Sequence, residues 1–136
     1  MGTLGRTEDW LFHNDTFPSW GFSIRHGATS IWERWDGWTP ENGFQDPGMN
    51  SFNHYAYGAI GDWMYRVSAG IEARSPGYKD ILIQPHVTEK LNYSKASFES
   101  SYGTISSGWE RKDGKMIEEY LFWDNQAFMK QIGLAE

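Results

Sequence analysis

Between residues 50 and 72 apolar side chains recur at helical spacing, and nothing else in the chain offers that helix a partner of its own kind. Phe52, Ala56, Ala59, Ile60, Trp63, Val67 and Ile71 fall on one stripe, the pattern of a helix buried along one face. Asn50 or Ser51 is placed to cap the start by accepting a bond from a free amide of the first turn. Gly58 and Gly61 lower helix propensity, a cost that close packing against a neighbouring helix would offset. "RSPGY" at 74–78 closes the element. So wide a stripe with no helical neighbour is expected in a piece of a larger helical body.

The segments on either side follow other rules. Residues 1–48 are punctuated by Gly, Pro, Asn and Asp and show no sustained period, although "WGFSIRHGA" has room for a short helix or strand. So long an irregular stretch in a compact domain is usually functional surface or a sign that its elements are wrongly assigned. From residue 79 the period changes to two. "DILIQPHV" reads as a strand stopped by Pro85, and Phe98, Ile105 and Trp109 are the expected inward positions of the alternating region that follows. Lys112-Asp113-Gly114-Lys115 has the chemistry of a two-residue hairpin turn. "DNQAFMKQIGLAE" reads as a short amphipathic helix capped by Asp124. The fold class is therefore mixed α+β: a loop and one long helix, then antiparallel strands and a short C-terminal helix.

Composition removes several functions. The formal net charge of −6, with no Lys/Arg run, argues against a nucleic-acid partner or an anionic membrane. The chain has no cysteine, hence no disulfide, thiolate nucleophile or Cys-ligated zinc. His13, His26, His54 and His86 are scattered without metal-binding spacing, and no Gly-rich phosphate loop precedes a helix, so neither a metal nor a cofactor is expected. No apolar run is long enough to span a membrane, and "MGTLGRTEDW" has no apolar signal core, which leads to the expectation of a cytoplasmic chain.

What remains is carboxylates among aromatics. Aromatic residues make up 17% of the chain, with 8 Trp, more than a core of this size needs. Surplus Trp serves either a Trp-rich core or flat apolar faces such as those of sugar rings. "IWERWDGW" sets Glu33 between Trp32 and Trp35, with Arg34, Asp36 and Trp38 beside them. Glycoside hydrolysis needs two carboxyl groups, one protonated and one ionised, and this loop offers carboxylates and platforms together. The same residues also fit a plainer arrangement, solvated loop charges between two packing tryptophans.

The run "GATSIWERWDGW" followed by "NSFNHYAYGA" resembles the C-terminal part of the catalytic domain of bacterial α-L-rhamnosidases, glycoside hydrolase family 78. "PGYKDILIQPH" and "KASFESSYGTISSGWERKDGK" resemble the start of the β-sandwich that follows the barrel in the same enzymes. The resemblance covers roughly residues 14–115. It implies that residues 1–75 are the end of an (α/α)6 barrel, with 50–72 its last helix, and that 76–136 are the β-rich C-terminal region. It places the water-activating general base on Glu33 and a rhamnose contact on His54. Trp20, Trp32, Trp35 and Trp38 become candidate walls of the sugar pocket, and rhamnose-containing glycosides the expected partners.

Two departures qualify that picture. The family's general-acid glutamate lies far upstream, in sequence absent here, so the chain is expected to carry half of an inverting site, or to survive as a non-catalytic rhamnose-binding or structural remnant. Without the other barrel helices, the face of Phe52, Ile60, Trp63 and Val67 is expected to be exposed and to favour self-association. Residues 116–136 instead resemble the final strand and helix of SnoaL-like polyketide cyclases of the NTF2-like superfamily, which leaves a small cyclase or isomerase domain as a further alternative.

Overall fold

The computed structural model of the chain describes residues 3–123. The helix expected after Asp124 lies outside the described residues. The chain divides between Ile60 and Gly61 into two compact units.

The first unit opens with α1 (Thr3–Phe12), formed where the sequence shows no sustained period, and α2 (Trp20–Arg25), which settles "WGFSIRHGA" as helical. Ser19 caps α2: its Oγ accepts from the Phe22 amide at 3.0 Å and donates to the His13 carbonyl. Gly21 is buried where a β-carbon would run into that same carbonyl and into Asn14 Oδ1. A two-stranded ribbon follows, β1 (Trp38–Thr39) against β2 (Gly43–Phe44), antiparallel, with Trp38 opposite Phe44.

The long helix expected over 50–72 is not formed. Helical turns begin at Ala56 with a 3₁₀ turn to Ala59, continue as α3 (Ile60–Trp63) and end in a π turn, Met64–Ser68. The start fails because the expected cap region is engaged elsewhere. The Asn50 side chain donates to Gly37 O, Ser51 pairs with Glu33 in both directions, and the His54 amide donates to Ile31 O. The end fails because Gly70 turns the backbone at φ +76° and Ile71 enters a strand. Nor do Gly58 and Gly61 mark a tight helix contact: a β-carbon at Gly58 would meet only Ile31 at 3.9 Å, and one at Gly61 nothing within 4 Å.

In the second unit β3 (Ile71–Ala73) pairs antiparallel with β4 (Ile81–Ile83), which ends before Pro85 as expected. β5 (Tyr93–Ser100), β6 (Gly103–Lys112) and β7 (Lys115–Trp123) form an antiparallel meander. The predicted turn joins the last two: Lys112 faces Lys115, and Asp113 and Gly114 adopt φ of 52° and 75°, the two positive values a tight hairpin of this kind needs. Of the three inward positions, Ile105 and Trp109 are buried and Phe98 is half-buried, its ring 4.4 Å from that of Tyr78.

The core of this unit is tied by polar groups as well as apolar ones. Trp109, fully buried, donates its indole N–H to Ser68 O at 2.9 Å, and Ser107 Oγ donates to Ala69 O at 2.6 Å. Those two carbonyls belong to the end of the π turn, so the sheet supplies the donors that the turn's own backbone cannot. At Gly70 a β-carbon would collide with the Gln84–Pro85 backbone, and the Gly70 carbonyl accepts from the Gln84 amide at 2.9 Å. Among the described residues no helix is long and apolar enough to cross a membrane.

Trp109→Ala removes a buried ring and leaves Ser68 O without its donor. A loss of about 3–5 kcal/mol is expected in urea unfolding followed by circular dichroism. An unchanged midpoint would show that the ring does not hold the second unit together.

Candidate active site

Two segments of the first unit lie side by side because their backbones bond to each other. The Glu33 amide donates to Ser51 O at 2.9 Å, and the Ser51 amide donates to Glu33 Oε2 at 2.7 Å. Further along, His54 N bonds to Ile31 O at 2.8 Å and Ser30 Oγ donates to Phe52 O. At the other end the Asn50 amide group donates to Gly37 O at 2.8 Å. The "IWERWDG" loop is thus fastened to "NSFNH" at both ends and in the middle.

This pairing decides how Glu33 is presented. Its side chain is half-buried, and one carboxylate oxygen is taken by the Ser51 amide. A charge-assisted bond of this kind is stronger than a neutral one and orients the carboxylate without neutralising it. Arg34 pairs with Asp36 at 3.2 Å rather than with Glu33, and both partners of that pair are well solvated. His54 is half-buried just ahead of the first helical turn, not within it; its ring lies parallel to that of Tyr55 at 5.4 Å, and its Nδ1 accepts from the Ala56 amide at 3.4 Å.

The tryptophans separate into two groups. Trp35 stacks on Tyr57, centroids 4.1 Å apart and planes 10° apart, and meets Trp20 edge-on at 4.8 Å. With Trp32 these rings wall a cavity of about 320 Å³. Trp38 lies instead beside a second cavity of about 250 Å³, with His26 and Phe44, where Trp32 contributes its other side. Trp32 is buried between the two and packs edge-on against Phe52 at 5.2 Å. Glu33 and His54 line neither cavity. Among the described residues no group of three or more His, Cys, Asp or Glu is arranged to hold a metal.

Sequence reasoning missed Tyr57, which falls off the helical stripe, and it assigned Asn50 or Ser51 to a helix cap; Ser51 Oγ does accept from the Asn53 amide at 3.1 Å, but no helix starts there. The signal available for both was their place directly before "FNHY", next to the residues they support.

Comparison with known proteins identifies the frame of this arrangement. The family model of the bacterial alpha-L-rhamnosidase 6 hairpin glycosidase domain matches residues 9–67, and that of the bacterial alpha-L-rhamnosidase C-terminal domain matches residues 70–120. The chain belongs to the bacterial α-L-rhamnosidases. An alpha-L-rhamnosidase of Streptomyces avermitilis is 46% identical over 107 residues, 79% of this chain and 10% of that protein. One from Formosa agariphila is 46% identical over 111 residues, 82% of this chain and 12% of that protein. The crystal structure of Streptomyces avermitilis alpha-L-rhamnosidase complexed with L-rhamnose superposes with a TM-score of 0.70 at 47% identity, over 76% of this chain and 10% of that chain. The chain therefore spans about a tenth of the length of the relatives it matches. The C-terminal domain model runs through residue 120, across the start of the segment that resembles a SnoaL-like cyclase, and that second resemblance finds no support in these matches.

The stacked pair predicts a measurable coupling. In a double-mutant cycle of Trp35→Ala and Tyr57→Ala, the double variant is expected to lose about 0.5–1.5 kcal/mol less than the sum of the two single losses, because each single variant already removes the stack. Strict additivity in thermal or urea unfolding would mean that the stack contributes only area.

Proposed function

We propose that this chain carries the general-base half of an inverting α-L-rhamnosidase site, acting on rhamnose-containing glycosides. Glu33 takes the proton of the attacking water, His54 contacts the rhamnose, and Trp20, Trp32, Trp35 and Trp38 supply apolar walls. On this reading the helical part of the chain closes an (α/α)6 barrel and the strands open the C-terminal sandwich; the succession of helical turns and then strands supports that order.

The observation that carries the reading is the state of the Glu33 carboxylate. One oxygen is fixed by the Ser51 amide, and the side chain is not consumed by an ion pair with Arg34. A general base must be held in place, ionised, and keep an oxygen for the proton it removes. Inversion also requires a carboxylic acid on the opposite face of the sugar, separated from the base by room for a water. The resemblance gives that role to a residue upstream of this sequence, so the chain by itself is expected to bind rhamnose better than it hydrolyses rhamnosides. A chain that binds but never turns over is the second reading, favoured by that same two-carboxylate requirement.

Two measurements decide between them. Titration of the labelled chain with L-rhamnose should shift the amide resonances around Glu33 and His54 selectively. Any hydrolysis of an aryl α-L-rhamnoside should fall by about 10²–10⁴-fold in Glu33→Gln while the rhamnose-induced shifts remain. A rate untouched by Glu33→Gln would remove Glu33 from the role of base. Binding with no turnover under any condition would leave the non-catalytic reading.

A further inference from the structure

Resting on the reading of Glu33 as the base, we propose that Asn50 is a positioning residue for it: by clamping Gly37, Asn50 holds the Ser51 amide on Glu33 Oε2 and leaves Oε1 as the oxygen that receives the proton. Three observations meet at this point. The Asn50 Nδ2 group donates to Gly37 O at 2.8 Å, the same carbonyl that accepts from the Gln45 amide at 3.0 Å. Ser51, the next residue, bonds to Glu33 through both its amide and its carbonyl. Gly37 is buried with no room to spare: a β-carbon there would lie 2.9 Å from Asn50 Oδ1 and 3.2 Å from Arg34 O.

The orientation of the Asn50 side chain follows from this. A carbonyl accepts but cannot donate, so the NH₂ end must face Gly37 O. Oδ1 is then buried without a hydrogen-bond partner among the described residues, a cost that the Gly37 contact must offset. An aspartate of the same shape offers no donor, and an alanine neither donates nor fills the space beside Gly37. Asn is the short side chain that reaches the carbonyl with a donor and stays within the gap that Gly37 leaves. Because residues 50 and 51 are adjacent, anything that frees Asn50 from Gly37 loosens the amide that orients the carboxylate. Asn50 touches neither water nor sugar in this scheme. It acts through Ser51.

The test is a pH titration of the Ser51 amide proton in the labelled full chain. An amide bonded to a carboxylate shifts as that carboxylate ionises. One inflection is expected, absent in Glu33→Gln. In Asn50→Ala the inflection should shrink or vanish, with the Trp109 indole resonance of the second unit unmoved; Asn50→Gln, which keeps the donor one methylene further out, should restore part of it. A full inflection in Asn50→Ala would overturn the proposal, as would no Glu33-dependent inflection in the unmutated chain. Should Asn50→Ala fail to fold, exchange of the Asn50 side-chain amide protons in the unmutated chain decides instead: slow exchange is expected, and exchange at the rate of a solvated amide would overturn the clamp. A failure here leaves the rhamnose-induced shifts in place, whereas loss of the base assignment leaves the Ser51 inflection intact, so the two outcomes are separable.

Discussion

The reciprocal bond between Glu33 and Ser51 is the constraint around which the first unit is arranged. Two segments that are rich in glycine and polar residues, and that have no helix or strand of useful length between them, need their backbone donors and acceptors satisfied somewhere. They satisfy each other, at Ile31–His54, Glu33–Ser51 and Gly37–Asn50. Once this zipper is closed, the Glu33 side chain is itself one of the acceptors. The group with chemistry to offer is built into the scaffold rather than appended to it. That is why the helix cannot begin at Asn50: the His54 amide and the Ser51 carbonyl, which its first turn would pair within the helix, are already taken by Ile31 O and the Glu33 amide.

The second unit solves a related problem by a different route. A π turn ends at Ser68, leaving carbonyls that the helix does not use, in surroundings too buried for water. Strand β6 answers with Trp109 and Ser107, whose side chains donate to Ser68 O and Ala69 O. A buried indole nitrogen and a buried hydroxyl would each be costly alone, as would the two carbonyls, so the pairing removes four liabilities together. The indole does this while burying its whole ring, which makes Trp the residue type best suited to the position.

These two solutions explain which parts could be read from the sequence. The hairpin turn was legible because Asp113-Gly114 acts on its own backbone, and so were Ile105 and Trp109, because alternation along one strand is a local property. The helix over 50–72 was misread because periodicity records where side chains could go, not where backbone bonds do go. Phe52 and Ile71 sit on the stripe by spacing, yet one packs edge-on against Trp32 and Phe44 and the other lies in a strand. The competing bonds come from residues 31–37, too far along the chain for a local rule to weigh. Glu33 and His54 stood out through a family motif, and geometry alone would not have chosen them over Asp36 or Glu41. Asn50 and Ser51 read as caps because a short polar side chain beside a free amide suits a helix start and a loop clamp equally well.

The loop therefore rests on two independent supports. The tryptophans are held by ring contacts, Trp35 against both Tyr57 and Trp20, and Trp32 against Phe52, while the Glu33 carboxylate is held by the Ser51 backbone amide. The supports differ in what they tolerate. Ring packing falls off gradually as a side chain shifts, and rotation of an indole within its cavity changes the walls without disturbing the peptide chain. A hydrogen bond to one carboxylate oxygen weakens steeply with distance and angle, and a misplacement of about 1 Å can cost 10²-fold in rate where proton transfer is at stake. On the proposed reading, walls that adapt and a base that does not are what a glycosidase needs, because the leaving group varies from substrate to substrate while the attacking water must arrive from one direction.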